Sequence, residues 1–227
     1  MPSAVLFDLD GTLLDHDTAC SEAIVASFPD ADPEWLVHRW AELSEEAVDR
    51  YLAGELDFTG QRRARIVPLA RELGLGTWDA TRADAWIADY VRRYEDAWRP
   101  YPDAFGTLRT LAASGVRLGV ITNGQAAQQR AKIARLGLTE LLPYVLASSE
   151  AAAAKPSAAI FHTACDALGL APETVAYVGD RLATDARAAA SAGLTGIWLD
   201  RPGTGPDPRD VPRITTLRAL PPVLARR

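Results

Sequence analysis

Four short stretches of this chain carry residue types suited to handling a phosphoryl group and a divalent cation together. Asp8-Leu9-Asp10-Gly11-Thr12 sets two carboxylates at i and i+2 beside a turn glycine and a hydroxyl. Thr122-Asn123-Gly124 offers a hydroxyl and exposed amides, Lys155-Pro156 a lone cation before a helix, and Gly179-Asp180 a third carboxylate with Asp185 five residues on. Carboxylates gathered from separate segments repel one another unless a cation lies among them. Magnesium fits, because it takes one to a few carboxylates together with water and a substrate phosphate. The Thr122 hydroxyl, neighbouring amides and Lys155 are suited to holding the phosphoryl oxygens.

These residues become a site only if the elements before them end at one place. Ala4 to Phe7 reads as a buried strand ending at Asp8. Val116 to Thr122, Tyr144 to Ala147, Thr174 to Val178 and Gly196 to Leu199 read as further strands. They alternate with helices at 103 to 114, from about Gln125 to Gly137, from a Ser157 cap to Gly169, and across Ala-rich 182 to 192. Such alternation predicts an α/β fold, a Rossmann-like parallel sheet with helices on both faces. In such a sheet, ligands collect at the carboxyl ends of the strands, where all four stretches fall. Between Thr18 and Trp98 the apolar residues recur at helical spacing, as in Leu36, Trp40, Leu43 and Ala47, which predicts an inserted helical bundle. Five of the six tryptophans lie there and are expected to fill it. The expected division is 1–15 with 100–227 as core and 16–99 as the inserted α-helical domain. Residues 201 to 213 hold four prolines and two glycines and read as a surface loop.

The four motifs, in this order, resemble the haloacid dehalogenase superfamily of phosphohydrolases, in the branch with a helical cap inserted after the first strand. The Thr-Asn-Gly turn, the Gln-rich helix after it and Gly-Asp-x-Leu-x-x-Asp are similar to the nucleotidase and N-acylneuraminate-9-phosphatase-like members. The resemblance implies that Asp8 is the nucleophile and that Asp10 serves as general acid and then base. It implies Mg2+ held by Asp8, the Asp10 carbonyl and Asp180. Thr122, the Asn123 amide and Lys155 would steady the phosphoryl oxygens, Asp185 would orient Lys155 or a metal-bound water, and Thr12 would position Asp10. His16 opens the cap and Arg62 and Arg63, followed by Arg65, lie near the start of a cap helix, where they could meet substrate; a solvated basic face is the other reading. Arg181 stands where a small hydroxylic residue is common, and Ala151 to Ala154 where a glycine is common; neither change removes a catalytic group.

The implied activity is hydrolysis of a small phosphate monoester, such as a nucleoside monophosphate, a sugar phosphate or a pathway intermediate, through an aspartyl-phosphate. Asp10 argues against carbon–halogen chemistry, since a departing halide needs no acid. A phosphomutase shares the motifs, and a phospho-aspartate sensor also presents carboxylates at strand ends, so both remain alternatives. With 30 acidic and 24 basic residues and a net charge of -6, nucleic acid is not an expected partner. No apolar run approaches the roughly 18 residues of a membrane span, and the reading is a soluble cytoplasmic monomer or homodimer. Cys20 and Cys165 are too far apart for a redox or zinc pair and are expected to be reduced thiols. His38 and His162 are read as surface or packing residues.

Overall fold

Residues 1–15 together with those from 99 onward form one compact unit, and residues 16–98 form a second. Arg99 thus belongs with the first unit, one residue from the expected junction. The computed structural model describes residues 1–225. In chain order the first unit opens with β1 (Ala4–Phe7), and the second holds α1 (His16–Ser27), α2 (Pro33–Leu52), α3 (Phe58–Glu72) and α4 (Ala80–Asp96). The first unit resumes with α5 (Ala104–Ala113), β2 (Arg117–Thr122), α6 (Ala126–Arg135), β3 (Tyr144–Ala147) and α7 (Ala158–Leu168). It closes with β4 (Val175–Gly179), α8 (Ala188–Ser191), β5 (Thr195–Leu199), β6 (Arg213–Ile214) and α9 (Leu220–Ala225).

The strands form a parallel sheet in the order β3-β2-β1-β4-β5-β6. The Rossmann-like α/β expectation is borne out. All four residues of β1 are buried, as a central parallel strand requires. Phe7 pairs in register with Val120 of β2 and Val178 of β4, so Asp8, Thr122 and Asp180 leave neighbouring strands at one edge. Ile160, Phe161, Ala164 and Cys165 of α7 pack with Leu6, Tyr177 and Ala188 and Ala189 of α8 in one apolar cluster. Cys165 is a free core thiol, as expected. Among the described residues no helix is long and apolar enough to cross a membrane.

Two segments depart from the sequence reading. The expected helix over 182 to 192 is a π-turn, Leu182–Arg187, running into the short α8. Its extra residue per turn accompanies the inward turn of Asp185, which is 1% exposed and accepts a bond from the Arg181 amide at 3.0 Å. The segment 201 to 213 is more than a surface loop, because Arg201 is drawn inward. Its guanidinium lies 3.5 Å from the Tyr101 ring centroid and pairs with Asp103 at 3.1 Å. It also donates to the Gly11 carbonyl at 3.2 Å and the Thr12 carbonyl at 2.6 Å, bracing the loop after β1. Burial raises the Asp103 carboxyl, but bonds from Arg201, Thr216 and the Leu217 amide outweigh it and hold the group below its ordinary range.

Where the first unit gives way to the second, its two chain segments run side by side. The Tyr101 amide donates to the Leu13 carbonyl at 2.9 Å and the Asp15 amide to the Arg99 carbonyl at 3.0 Å, while Leu14 and Pro100 form an antiparallel bridge.

The second unit is a helical bundle begun by side-chain caps. Asp32, Asp57 and Asp79 accept from the amides of Trp35, Gly60 and Arg82, and Pro33 occupies the first turn of α2. Leu36, Trp40, Leu43, Ile66, Leu69, Tyr90 and Tyr94 line its core. Trp86, Tyr90 and Tyr94 stack along α4 at centroid spacings of 5.2 and 6.4 Å. Trp35 is the exception among the tryptophans: it is 40% exposed at the start of α2.

Candidate active site

Asp8 continues β1 and is almost fully enclosed; its amide donates to the Val178 carbonyl of β4 at 2.8 Å. The chain then turns tightly, with the Leu13 and Leu14 amides both returning to the Leu9 carbonyl at 2.9 Å. Gly11 makes the turn with φ +82°, and a Cβ there would come within 2.5 Å of Asp180 Oδ2. Glycine is therefore required twice over, for the backbone angle and for the close approach of the carboxylate.

Lys155 is buried, and all three of its N–H groups are used. They donate to Asp8 Oδ1 at 2.6 Å, Asp185 Oδ1 at 2.7 Å and the Tyr177 hydroxyl at 2.8 Å. Tyr177 in turn donates to the Ile121 carbonyl at 2.9 Å. Asn123 fixes the lysine's backbone by donating to its carbonyl and accepting from its amide, each at 2.9 Å. Burial works against the Lys155 charge, but Asp185 and Asp8 outweigh it and push its value up.

A second network surrounds Asp10. Lys132 Nζ lies 2.7 Å from both carboxylate oxygens. Gln129 Nε2 reaches Asp10 Oδ2 at 3.2 Å, the Thr122 hydroxyl at 2.6 Å and the Asn123 carbonyl at 3.3 Å. Thr12 turns to Asp180 Oδ1 at 3.4 Å, so Lys132 and Gln129 occupy the place beside Asp10 that the sequence reading gave to Thr12.

Thus Asp8, Asp10, Thr12, Thr122, Asn123, Lys155, Asp180 and Asp185 converge at one sheet edge. Gln129, Lys132 and Tyr177 join them and were not foreseen. The signal was present in each case. Gln129 and Lys132 sit one turn apart on the buried face of α6 beside Ile133, and Tyr177 brings a hydroxyl into a wholly buried strand. Arg181 contributes its amide, and its side chain is exposed. His16, Arg62 and Arg63 lie in the second unit. There His16 Nδ1 is 2.8 Å from the Tyr94 hydroxyl and Arg63 makes a two-pronged pair with Asp84. His38 is exposed, and His162 Nε2 bonds the Ala192 carbonyl at 2.9 Å.

Atoms of Asp8, Asp180 and Asp185 lie within 4.8 Å of one another, and this donor set fits magnesium. Asp185 has both oxygens engaged, by Lys155 and by the Arg181 amide. Among the described residues no hydrogen bond reaches Asp8 Oδ2 or Asp180 Oδ2, which leaves hard anionic oxygens for a cation. Burial pushes Asp8 up to about 8, with Lys155 opposing and Asp185 and Asp180 adding repulsion. Burial and then Asp185 push Asp180 up to about 6, against Lys155 and Arg181. Both groups are therefore more readily protonated folded than unfolded, so their stabilising contribution is complete below about 3.8 and is lost as pH rises through about 6 and about 8. A cation binding these oxygens must displace protons at low pH. The thermal midpoint gain from Mg2+ over EDTA should accordingly be larger at pH 8 than at pH 6. Saturating ion is expected to add about 2–3 kcal/mol, or roughly 5–10 °C. A gain that is flat or falls with pH would remove these carboxylates as ligands.

Residues 2–193 match a family of hydrolases described as haloacid dehalogenase-like. A glyceraldehyde 3-phosphate phosphatase of Methanopyrus kandleri is 34% identical over 205 residues, covering 88% of this chain and 85% of that one. A phosphoserine phosphatase of Thermus thermophilus is 32% identical over 183 residues, covering 80% and 71%. In fold, the chain is similar to a hydrolase of Bacillus subtilis solved with magnesium bound, at a TM-score of 0.82 and 22% identity over 98% of both chains.

Proposed function

The chain belongs to the haloacid dehalogenase-like hydrolases, and on that footing we propose that it is a magnesium-dependent phosphatase acting on a small phosphate monoester through an aspartyl-phosphate on Asp8. The observation that carries this reading is the pairing of two carboxylates with different surroundings on one loop. Asp8 is enclosed, with one oxygen on Lys155 and one unengaged, whereas Asp10 is held by Lys132 and Gln129 beside the Thr122 hydroxyl. A cation on the unengaged oxygen would hold Asp8 as the anion that attacks, and Asp10, aimed by Lys132 and Gln129, stands beside it to give and take the proton.

Asp8 attacks phosphorus, and the bond from phosphorus to the leaving oxygen breaks while Asp10 gives that oxygen a proton. Water then opens the acyl-phosphate, with Asp10 taking its proton, so phosphate is released and Asp8 restored. Lys155, Thr122 and the Asn123 amide steady the transferring oxygens. Asp8, Asp180 and the Asp10 carbonyl would hold the magnesium ion, which when bound supplies positive charge against the phosphate. Asp185 and Tyr177 keep the Lys155 ammonium aimed at Asp8. Lys132 and Gln129 fix the direction of the Asp10 carboxyl, a positioning role.

Phosphate release from ethyl phosphate and from 2,4-dinitrophenyl phosphate tests both statements, because an alkoxide needs an acid and dinitrophenolate does not. Wild type should turn over repeatedly with Mg2+ and not with EDTA. Lys132→Met should lower kcat on ethyl phosphate by about 30–100-fold and on the dinitrophenyl ester by less than about threefold. Equal losses on both would reduce Lys132 to a structural part. No release from either ester by folded wild type would defeat the phosphatase reading, and a single stoichiometric phosphorylation of Asp8 would favour a sensor.

A further inference from the structure

Of the six tryptophans, Trp198 alone lies in the first unit. It stands on β5 in register with Gly179, the last residue of β4, and is buried. A buried indole N–H calls for an acceptor, and this one donates to the backbone carbonyl of Asp180 at 2.8 Å.

That carbonyl belongs to the peptide between Asp180 and Arg181, where the chain has left β4 and has not yet entered the π-turn. The amide of the same peptide donates to Asp185 Oδ2 at 3.0 Å. A peptide unit is planar, so bonds at both of its polar groups, made to residues of two different elements, stop it from rotating about the chain. With β4 fixing the peptide before it, the direction in which the Asp180 side chain leaves the backbone is set. At the far end of that side chain the Thr12 hydroxyl meets Oδ1 at 3.4 Å.

The indole is itself held. Leu182, Ala186 and Val211 pack with it in one small apolar cluster, and its own amide donates to the Pro212 carbonyl at 2.9 Å. The Arg213 guanidinium, paired with Asp200, lies 5.4 Å from the ring centroid. A Cβ on Gly205 would run into the six-membered ring, so the loop after β5 closes directly over it. A chain of fixed groups thus leads from that loop through one N–H to a carboxylate of the cation site.

We propose that Trp198 is a positioning residue for magnesium: by pinning the peptide that follows Asp180 it aims this carboxylate at the ion that Asp8 and Asp180 would share. The inference rests on the magnesium part of the phosphatase reading.

Two variants of the full-length protein separate the donor from the packing. Trp198→Phe keeps a ring in the apolar cluster and removes the N–H, whereas Val211→Ala thins the same cluster and leaves the N–H in place. For each, the thermal midpoint is followed at pH 8 in EDTA and across a range of Mg2+ concentrations, rising as the ion fills its site. Trp198→Phe should need about tenfold more Mg2+ than wild type for the same rise. Val211→Ala should melt lower in EDTA and keep the wild-type dependence on Mg2+. A purely structural role would lower the EDTA midpoint of both variants and shift the ion dependence of neither. Coincident Mg2+ curves for Trp198→Phe and wild type, or an equal displacement in Val211→Ala, would overturn the proposal. Should Trp198→Phe fail to fold, the benzothienyl isostere at position 198, with sulfur in place of N–H, makes the same comparison at unchanged shape. A wild type whose midpoint does not respond to Mg2+ removes the magnesium reading itself, and the role of Trp198 with it.

Discussion

Asp8→Asn should remove at least about 10^4-fold of the phosphate-releasing activity while leaving a protein that folds as well as the wild type or better. The amide oxygen of asparagine can still accept the bond that Lys155 gives Asp8 Oδ1 at 2.6 Å, so the ammonium keeps its three partners. What disappears is the anionic nucleophile and, with it, one of the carboxylates crowded within 4.8 Å. Because burial and like charge push Asp8 up to about 8, the ionised group is a burden to the metal-free fold at high pH. In EDTA at pH 8 the variant should therefore melt above the wild type, and the gap should close towards pH 5. Loss of the anion should also weaken magnesium binding. Stopped-assay phosphate release and paired melts check both halves. Residual activity above about one per cent would mean that the attacking group lies elsewhere.

Lys155→Met should have the opposite effect on stability. It strips the partner from Asp8 and Asp185, which are 6% and 1% exposed, and a buried pair broken on one side costs about 3–5 kcal/mol. Activity should fall by about 10^3-fold or more, since the same ammonium steadies the phosphoryl oxygens. Adding Asp185→Asn should restore much of the stability, because it deletes the repulsion left behind, and should restore none of the turnover. Denaturant unfolding of the single and double variants measures the first expectation. A double variant as unstable as Lys155→Met would show that the lysine acts through packing and not through charge.

The chemistry was more legible in the sequence than the machinery that aims it. Asp8, Asp180 and Thr122 could be placed because each follows an apolar strand whose end is fixed by burial, and parallel strands carry their ends to one edge. Strand limits differed by a residue where the last apolar side chain is not the last ladder bond, as with β4 running on to Gly179. The π-turn was illegible, since alanines at 183, 186 and 188 to 190 satisfy an α-helix equally well. Only the pull of Lys155 and the Arg181 amide on Asp185, a contact 30 residues away in the case of the lysine, selects the wider turn. Lys132 and Gln129 were hidden by the same arithmetic. A polar residue on a helix face declares itself only once the partner 122 or 119 residues away is known. In the second unit, the arginines at 62, 63 and 65 on α3 looked alike in sequence, and Asp84 on α4 is what separates Arg63 from the other two.

The paired segments at Leu13–Asp15 and Arg99–Tyr101 have a consequence for how such a chain can change over generations. The two ends of the catalytic unit's interruption already touch, so a turn of a few residues could join them with no strain on β1 or α5. Lengthening what lies between costs little, about 0.6 kcal/mol for each doubling of a flexible loop. The host is therefore indifferent to its guest. An insert of another size or fold could be spliced at that neck while Asp8, Asp10, Lys155 and Asp180 stay in register, since every residue of that group lies outside the interruption.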